Sequence, residues 1–143
     1  MKIVIAADGS PYTRAAARHV ARQARALKEM PEIHLIHVHR PLPYAGAAGA
    51  VGRKAVESYQ REESLKALAV AEKELAKAGL DYTSIWCVGD AATQIALHAK
   101  KQGADVIVTG SHGHGALASL AMGPVATKLV AVSRVPVLIV PKN

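Results

Sequence analysis

Five short apolar runs, each separated from the next by a stretch with helical signals, constrain this chain most. "KIVIAA" (2–7), "EIHLIHVHR" (32–40), "DYTSIWCV" (81–88), "DVIVTG" (105–110) and "VPVLIVP" (135–141) are the strand candidates. The first is a continuous apolar run, as expected of a strand covered on both faces. Helices are predicted from Pro11 to about Lys28, from about Val56 to Ala78, between Asp90 and Gly103, and from about Pro124 to Ser133. Asp8 or Ser10 caps the first of these, with Pro11 suited to its first turn. Gly79 and Gly103 end the second and third, as glycine commonly does. Residues 41–55, "PLPYAGAAGAVGRKA", read as a loop.

The order β-α-β-α-β-α-β-α-β implies a parallel sheet with right-handed crossovers and helices on both faces. At 143 residues the chain is one domain, 1–143, with no linker or internal repeat. Ligands of such sheets bind beyond the carboxyl ends of the strands, where strand order reverses. Three loops qualify: "ADGS" after the first strand, "HRPLP" after the second and "TGSHGHG" after the fourth.

The glycines of the last loop narrow the chemistry. No G-x-x-x-x-G-K-[ST] loop is present, and the G-x-G-x-x-G dinucleotide fingerprint is absent too. Gly110, Gly113 and Gly123 are instead separated by two and by nine residues. Gly110 ends a strand, and Gly113 lets the backbone turn and approach a ligand. Gly123 precedes a helix whose free N–H groups attract anions. The intervening "HGALASLAM" is expected to make a short helical excursion that returns the chain to the same place. The pattern is that of a phosphate cradle.

Charge and histidines add less. Eighteen basic and eleven acidic residues leave a net charge of +7. Arg14, Arg18, Arg22 and Arg25 share a helix face with neither aromatics nor acids among them, which reads as a solvated face rather than a nucleic-acid stripe. His112 and His114 share a loop, and His37 and His39 share a strand face. No cysteine or carboxylate completes a ligand set in sequence, so no metal is expected. His19 and His98 read as surface residues. Cys87 is the only cysteine, which excludes an internal disulfide and suggests a reducing, cytoplasmic location. The first apolar run is too short for a signal segment or a membrane span.

Taken together, "IVIAADGSPYTRAA", "IHLIHVHRP", "VGDAATQIALHAKKQGADVIVTGSHGHG" and "GPVATKLVAVSRVPVLIVP" resemble the small single-domain universal stress proteins over essentially the full length. The resemblance implies a three-layer α/β/α fold of the adenine nucleotide alpha hydrolase type, with a five-stranded parallel sheet of order 3-2-1-4-5. It also implies ATP, bound over strands 1 and 4 through G-x2-G-x9-G-[ST]. Asp8 matches the family residue near ribose and adenine, and Ala7 precedes it. Val38 matches the position whose backbone meets adenine. Gly110, His112, Gly113 and Gly123 match the phosphate loop, with Val125 after the position of the family hydroxyl.

At that position the chain departs from the family. Pro124 replaces Ser or Thr and offers neither a hydroxyl nor an N–H. Thr127 and Ser119 are the candidate substitutes. The family pattern further implies a homodimer paired through the last strand, and a regulatory role in stress rather than catalysis. No catalytic set is identified. "HGHG" follows the fourth strand rather than the first, unlike the H-x-G-H of related nucleotidyl transferases. "ADGSPY" lacks the S-G-G-x-D-S of ATP-dependent activating enzymes. The competing expectation is a dimeric stress-response interaction protein that binds no ATP.

Overall fold

The computed structural model describes residues 1–43, 49–115, 119 and 121–142. Nine elements alternate along the chain: β1 (Lys2–Ala6), α1 (Pro11–Ala24), β2 (Glu32–His39), α2 (Ala50–Lys77), β3 (Thr83–Val88), α3 (Ala91–Gln102), β4 (Val106–Gly110), α4 (Pro124–Val132) and β5 (Val137–Val140). The strands form one parallel sheet of order β3-β2-β1-β4-β5. The chain therefore moves outward one way from β1 and then crosses to β4. The reversal lies between the carboxyl ends of β1 and β4.

Successive side chains of a strand point to opposite faces, and both faces of this sheet are covered. Ile3 and Ile5 join Leu35, Val20, Leu68 and Leu75 beneath α1 and α2. Val4 and Ala6 join Ile36, Ile95, Ile107 and Leu129 beneath α3 and α4. Alanines fill the helix faces that approach the sheet: Ala16, Ala17, Ala71 and Ala99 are all 0% exposed. Small side chains let helices settle closely on a sheet of branched residues.

Local signals set most boundaries. Ser10 caps α1, its hydroxyl accepting from the Thr13 N–H at 3.3 Å, with Pro11 in the first turn. Asp90 caps α3 through Thr93, and Gly103 closes that helix at φ 64°. Two helix boundaries differ from expectation. Helix α1 stops at Ala24 rather than near Lys28, because Ala26 and Leu27 donate to Gln23 and Ala24 in a tightened final turn. Helix α2 starts at Ala50, with Gly49 as its cap and Arg53 N–H on the Gly49 carbonyl at 2.8 Å. Helix α2 therefore extends into the expected loop 41–55, with Ala50, Arg53, Lys54 and Ala55 as the good helix formers of its opening turns despite Gly52. Of that loop, residues 44–48 lie outside the described residues.

The arginine stripe is not simply solvated. Glu74 of α2, 8% exposed, reaches across to it. Arg18 Nε donates to Glu74 Oε2 at 2.9 Å, and Arg14 and Lys77 lie at 3.8 and 3.6 Å. The Arg18 hydrogen bond, followed by the nearby cations, holds the Glu74 carboxyl below the usual carboxylate range. A pairing between two helices leaves no mark in the sequence of either alone. His19 and His98 are half-buried rather than surface residues. The His98 ring centroid lies 5.9 Å from that of His34, and its Nε2 is sealed without a partner among the described residues. Burial pushes the His98 imidazole down.

Candidate functional site

A cavity of about 820 Å³ opens at the carboxyl ends of β1, β2 and β4. Ala7, Asp8, Val38, Gly110, His112, Gly113, Gly123 and Val125 all line it, together with Pro124. The candidate residues from three separated loops are thus brought to one place, at the reversal of strand order.

Asp8 is the knot of the site. Its Oδ1 accepts from the Ser10 N–H at 2.9 Å and the Thr13 hydroxyl at 2.8 Å. Its own N–H donates to Thr13 Oγ1 at 2.9 Å. Its Oδ2 accepts from the His114 N–H at 3.3 Å. One carboxylate therefore shapes the turn after β1 and ties it to the loop after β4. Gly9 completes the turn at φ 80°, and a Cβ there would lie 3.0 Å from the Ala67 Cα of α2.

The glycines serve closeness more than turning. Gly113 does not have a positive φ. A Cβ on Gly113 would instead collide with the Asp8 carboxylate. The positive φ in this loop falls at Gly115, at 68°. A Cβ on Gly123 would stand 3.1 Å from His112 Cα. The helical excursion expected over 114–122 includes residues 116–118 and 120, which lie outside the described residues.

The end of the cavity at the N-terminus of α4 offers fewer donors than a helix N-terminus ordinarily provides. The Gly123 N–H donates to the Ser111 carbonyl at 2.6 Å, and Pro124 has no N–H. The Thr127 N–H closes the first turn on the Gly123 carbonyl at 3.0 Å. Val125 and Ala126 keep the remaining N–H groups of that turn, without partners among the described residues. Thr127 does not replace the missing hydroxyl: it is exposed and donates back to the Gly123 carbonyl at 2.9 Å. Ser119 is exposed and does not line the cavity. Two amide donors and the positive end of the α4 dipole remain for an anion.

Several lining residues escaped the sequence reading. Glu63, Lys66 and Ala67 come from the middle of α2, where nothing in a helical pattern singles them out. Lys66 is paired with Glu62 at 3.3 Å and Glu63 at 3.5 Å. Ala91 and Ile95 come from α3. Arg40 follows β2 directly and was legible as part of "HRPLP". His37 and His39 also line the cavity. Burial pushes the His37 imidazole down from its usual value. Among the described residues, no three His, Cys, Asp or Glu side chains converge as metal ligands would. Among the same residues, no helix is long and apolar enough to cross a membrane.

Comparison with known proteins adds four findings. The sequence profile of the universal stress protein family matches residues 1–141. Universal stress protein YxiE of Bacillus subtilis is 31% identical over 149 residues, covering 97% of each chain. Among solved structures, the protein MJ0577 superposes with a TM-score of 0.83 at 26% identity, covering 99% of this chain and 96% of its own. A universal stress protein family protein of Arabidopsis thaliana, solved with AMP bound, superposes at 0.71 and 20% identity, covering 100% and 92%.

Proposed function

Because this chain belongs to the universal stress protein family, we propose that it is a regulatory adenine-nucleotide-binding protein of the stress response, working in the cytoplasm. The ligand assigned to the cavity is ATP, held by a phosphate loop that lacks the usual hydroxyl. The carrying observation is the convergence of Ala7, Asp8, Val38 and the three loop glycines on one cavity at the sheet's reversal point. The AMP held by a protein of the same fold supports the adenine assignment. Binding rather than catalysis fits a site whose one central carboxylate, Asp8, is already committed to three hydrogen-bond donors. Mass spectrometry of small molecules released on denaturing the purified protein tests the assignment. Recovery of an adenine nucleotide supports it. Recovery of another anion assigns the cavity to that ligand instead.

The same proposal includes a homodimer. Strand β5 pairs with β4 on one side, and its other edge has no strand partner among the described residues. Leu138 at its centre is 40% exposed. An open apolar edge is a template for pairing, and two-fold symmetry makes such a contact self-complementary. Light scattering at micromolar concentration is expected to give the mass of a dimer, and a variant ending at Val135 that of a monomer. A monomeric intact protein contradicts the dimer. A folded truncated dimer moves its interface away from β5.

A further inference from the structure

His37 stands at the carboxyl end of β2, opposite Trp86 of β3 and beside the carbonyl of Ala7. Its Nδ1 lies 2.7 Å from that carbonyl oxygen. A carbonyl only accepts, so Nδ1 must carry the proton. In a neutral imidazole the other nitrogen then holds a lone pair. Nε2 has no hydrogen-bond partner among the described residues, and it is not one of the sealed polar atoms. His37 is one of the cavity's lining residues, which sets its unsealed Nε2 beside the space a ligand would fill. Burial favours the neutral form and preserves the lone pair near neutral pH. The charged and titratable groups that act on it are His39 on β2 and Asp8 from the β1–α1 turn. Glu63 and Lys66 of α2, Arg40, His112 and His114 share the cavity.

We propose that His37 Nε2 is a specificity acceptor, receiving a hydrogen bond from a donor on the nucleoside half of the bound nucleotide. This rests on the nucleotide reading above. Two nucleoside groups have the required chemistry: the 6-amino group of adenine and the ribose hydroxyls. The Ala7 carbonyl fixes which face of the imidazole the ligand meets, so recognition at His37 depends on the end of the neighbouring strand. Where the donor is the 6-amino group, a base with a carbonyl at that position sets oxygen against the Nε2 lone pair and is disfavoured.

Two measurements test the inference. Nitrogen NMR of the ligand-free protein is expected to show His37 protonated at Nδ1 and bare at Nε2. The opposite tautomer overturns the proposal. His37→Asn keeps a donor near the Ala7 carbonyl and removes the Nε2 acceptor. Calorimetry with AMP, 2′-deoxy-AMP and inosine monophosphate is then run on both forms. Binding of AMP by His37→Asn is expected to weaken about three- to ten-fold, with an unchanged melting temperature. Loss of preference for AMP over inosine monophosphate assigns the donor to the 6-amino group. Loss of preference for AMP over 2′-deoxy-AMP assigns it to the ribose 2′-hydroxyl. Unchanged AMP affinity overturns the proposal. So does equal weakening toward all three ligands with a lowered melting temperature, which marks a structural histidine. Wild-type protein that binds none of the three contradicts the nucleotide reading itself, and that failure appears before any variant is made.

Discussion

Replacing Pro124 with Ser is expected to tighten ATP binding by about ten- to hundred-fold. Pro124 is the first residue of α4 and lines the cavity. Serine at this position supplies two donors that proline lacks, a backbone N–H and a hydroxyl, at the positive end of a helix dipole. A hydrogen bond to a charged group contributes about 1.5–3 kcal/mol, and each 1.4 kcal/mol corresponds to about a factor of ten. Among the described residues, neither candidate substitute, Thr127 or Ser119, compensates in the wild type. The Thr127 hydroxyl is turned to the Gly123 carbonyl, and the Gly123 N–H is held by Ser111. Proline also restricts the unfolded chain, so the variant is expected to lose about 0.4–1 kcal/mol of stability while it gains affinity. Calorimetric titration of ATP into both proteins measures the effect. Equal affinities would show that the donor at position 124 does not limit binding.

The largest expected effect on stability comes from Gly110→Ala. Gly110 ends β4 where the first turn of α1 crosses it. An added methyl would stand 2.5 Å from Tyr12 Cβ and 3.1 Å from the Tyr12 carbonyl carbon. Neither atom lies at the tip of a flexible chain. Moving them displaces the turn that Ser10 and Asp8 fix with hydrogen bonds. Overpacking of this kind costs about 1–3 kcal/mol. For a chain of this length each kcal/mol lowers the melting temperature by about 3–5 °C. Gly49→Ala is the steric control, since among the described residues nothing lies within 4 Å of its Cβ position and its φ is −66°, which leaves only the smaller cost of alanine at a helix cap. Thermal denaturation should show a clearly larger fall for the first variant than for the second. Equal melting temperatures would contradict the close approach of α1 to β4.

The sheet was legible because its strands carry a pattern that only one layer architecture satisfies. Ile3, Val4 and Ile5 in succession require apolar cover on both faces, and the helices between the strands supply it. Caps were legible for the same local reason, as Ser10, Asp90 and Gly103 show. The site was legible as far as loops at strand ends carry it. All eight candidate residues reach one cavity, yet the reasons for two glycines were not readable. Gly113 is required by the Asp8 carboxylate and Gly110 by Tyr12, each more than ninety residues away in sequence. Glu74 under the arginines and Lys66 at the cavity are long-range meetings of the same kind. The direction of the Thr127 hydroxyl, which decides whether Pro124 has a substitute, depends on helix geometry that no spacing reveals.

Titration of ATP into the wild-type protein by calorimetry, after removal of any bound nucleotide, tests the central claim most directly. The cavity geometry, with two amide donors unpaired among the described residues and no hydroxyl at position 124, predicts saturable binding of one ATP per chain, weaker than that of the Pro124→Ser variant. Absence of heat for ATP, ADP and AMP in a protein whose thermal unfolding remains cooperative would contradict the nucleotide site and leave a stress-response protein that acts through contacts with other chains.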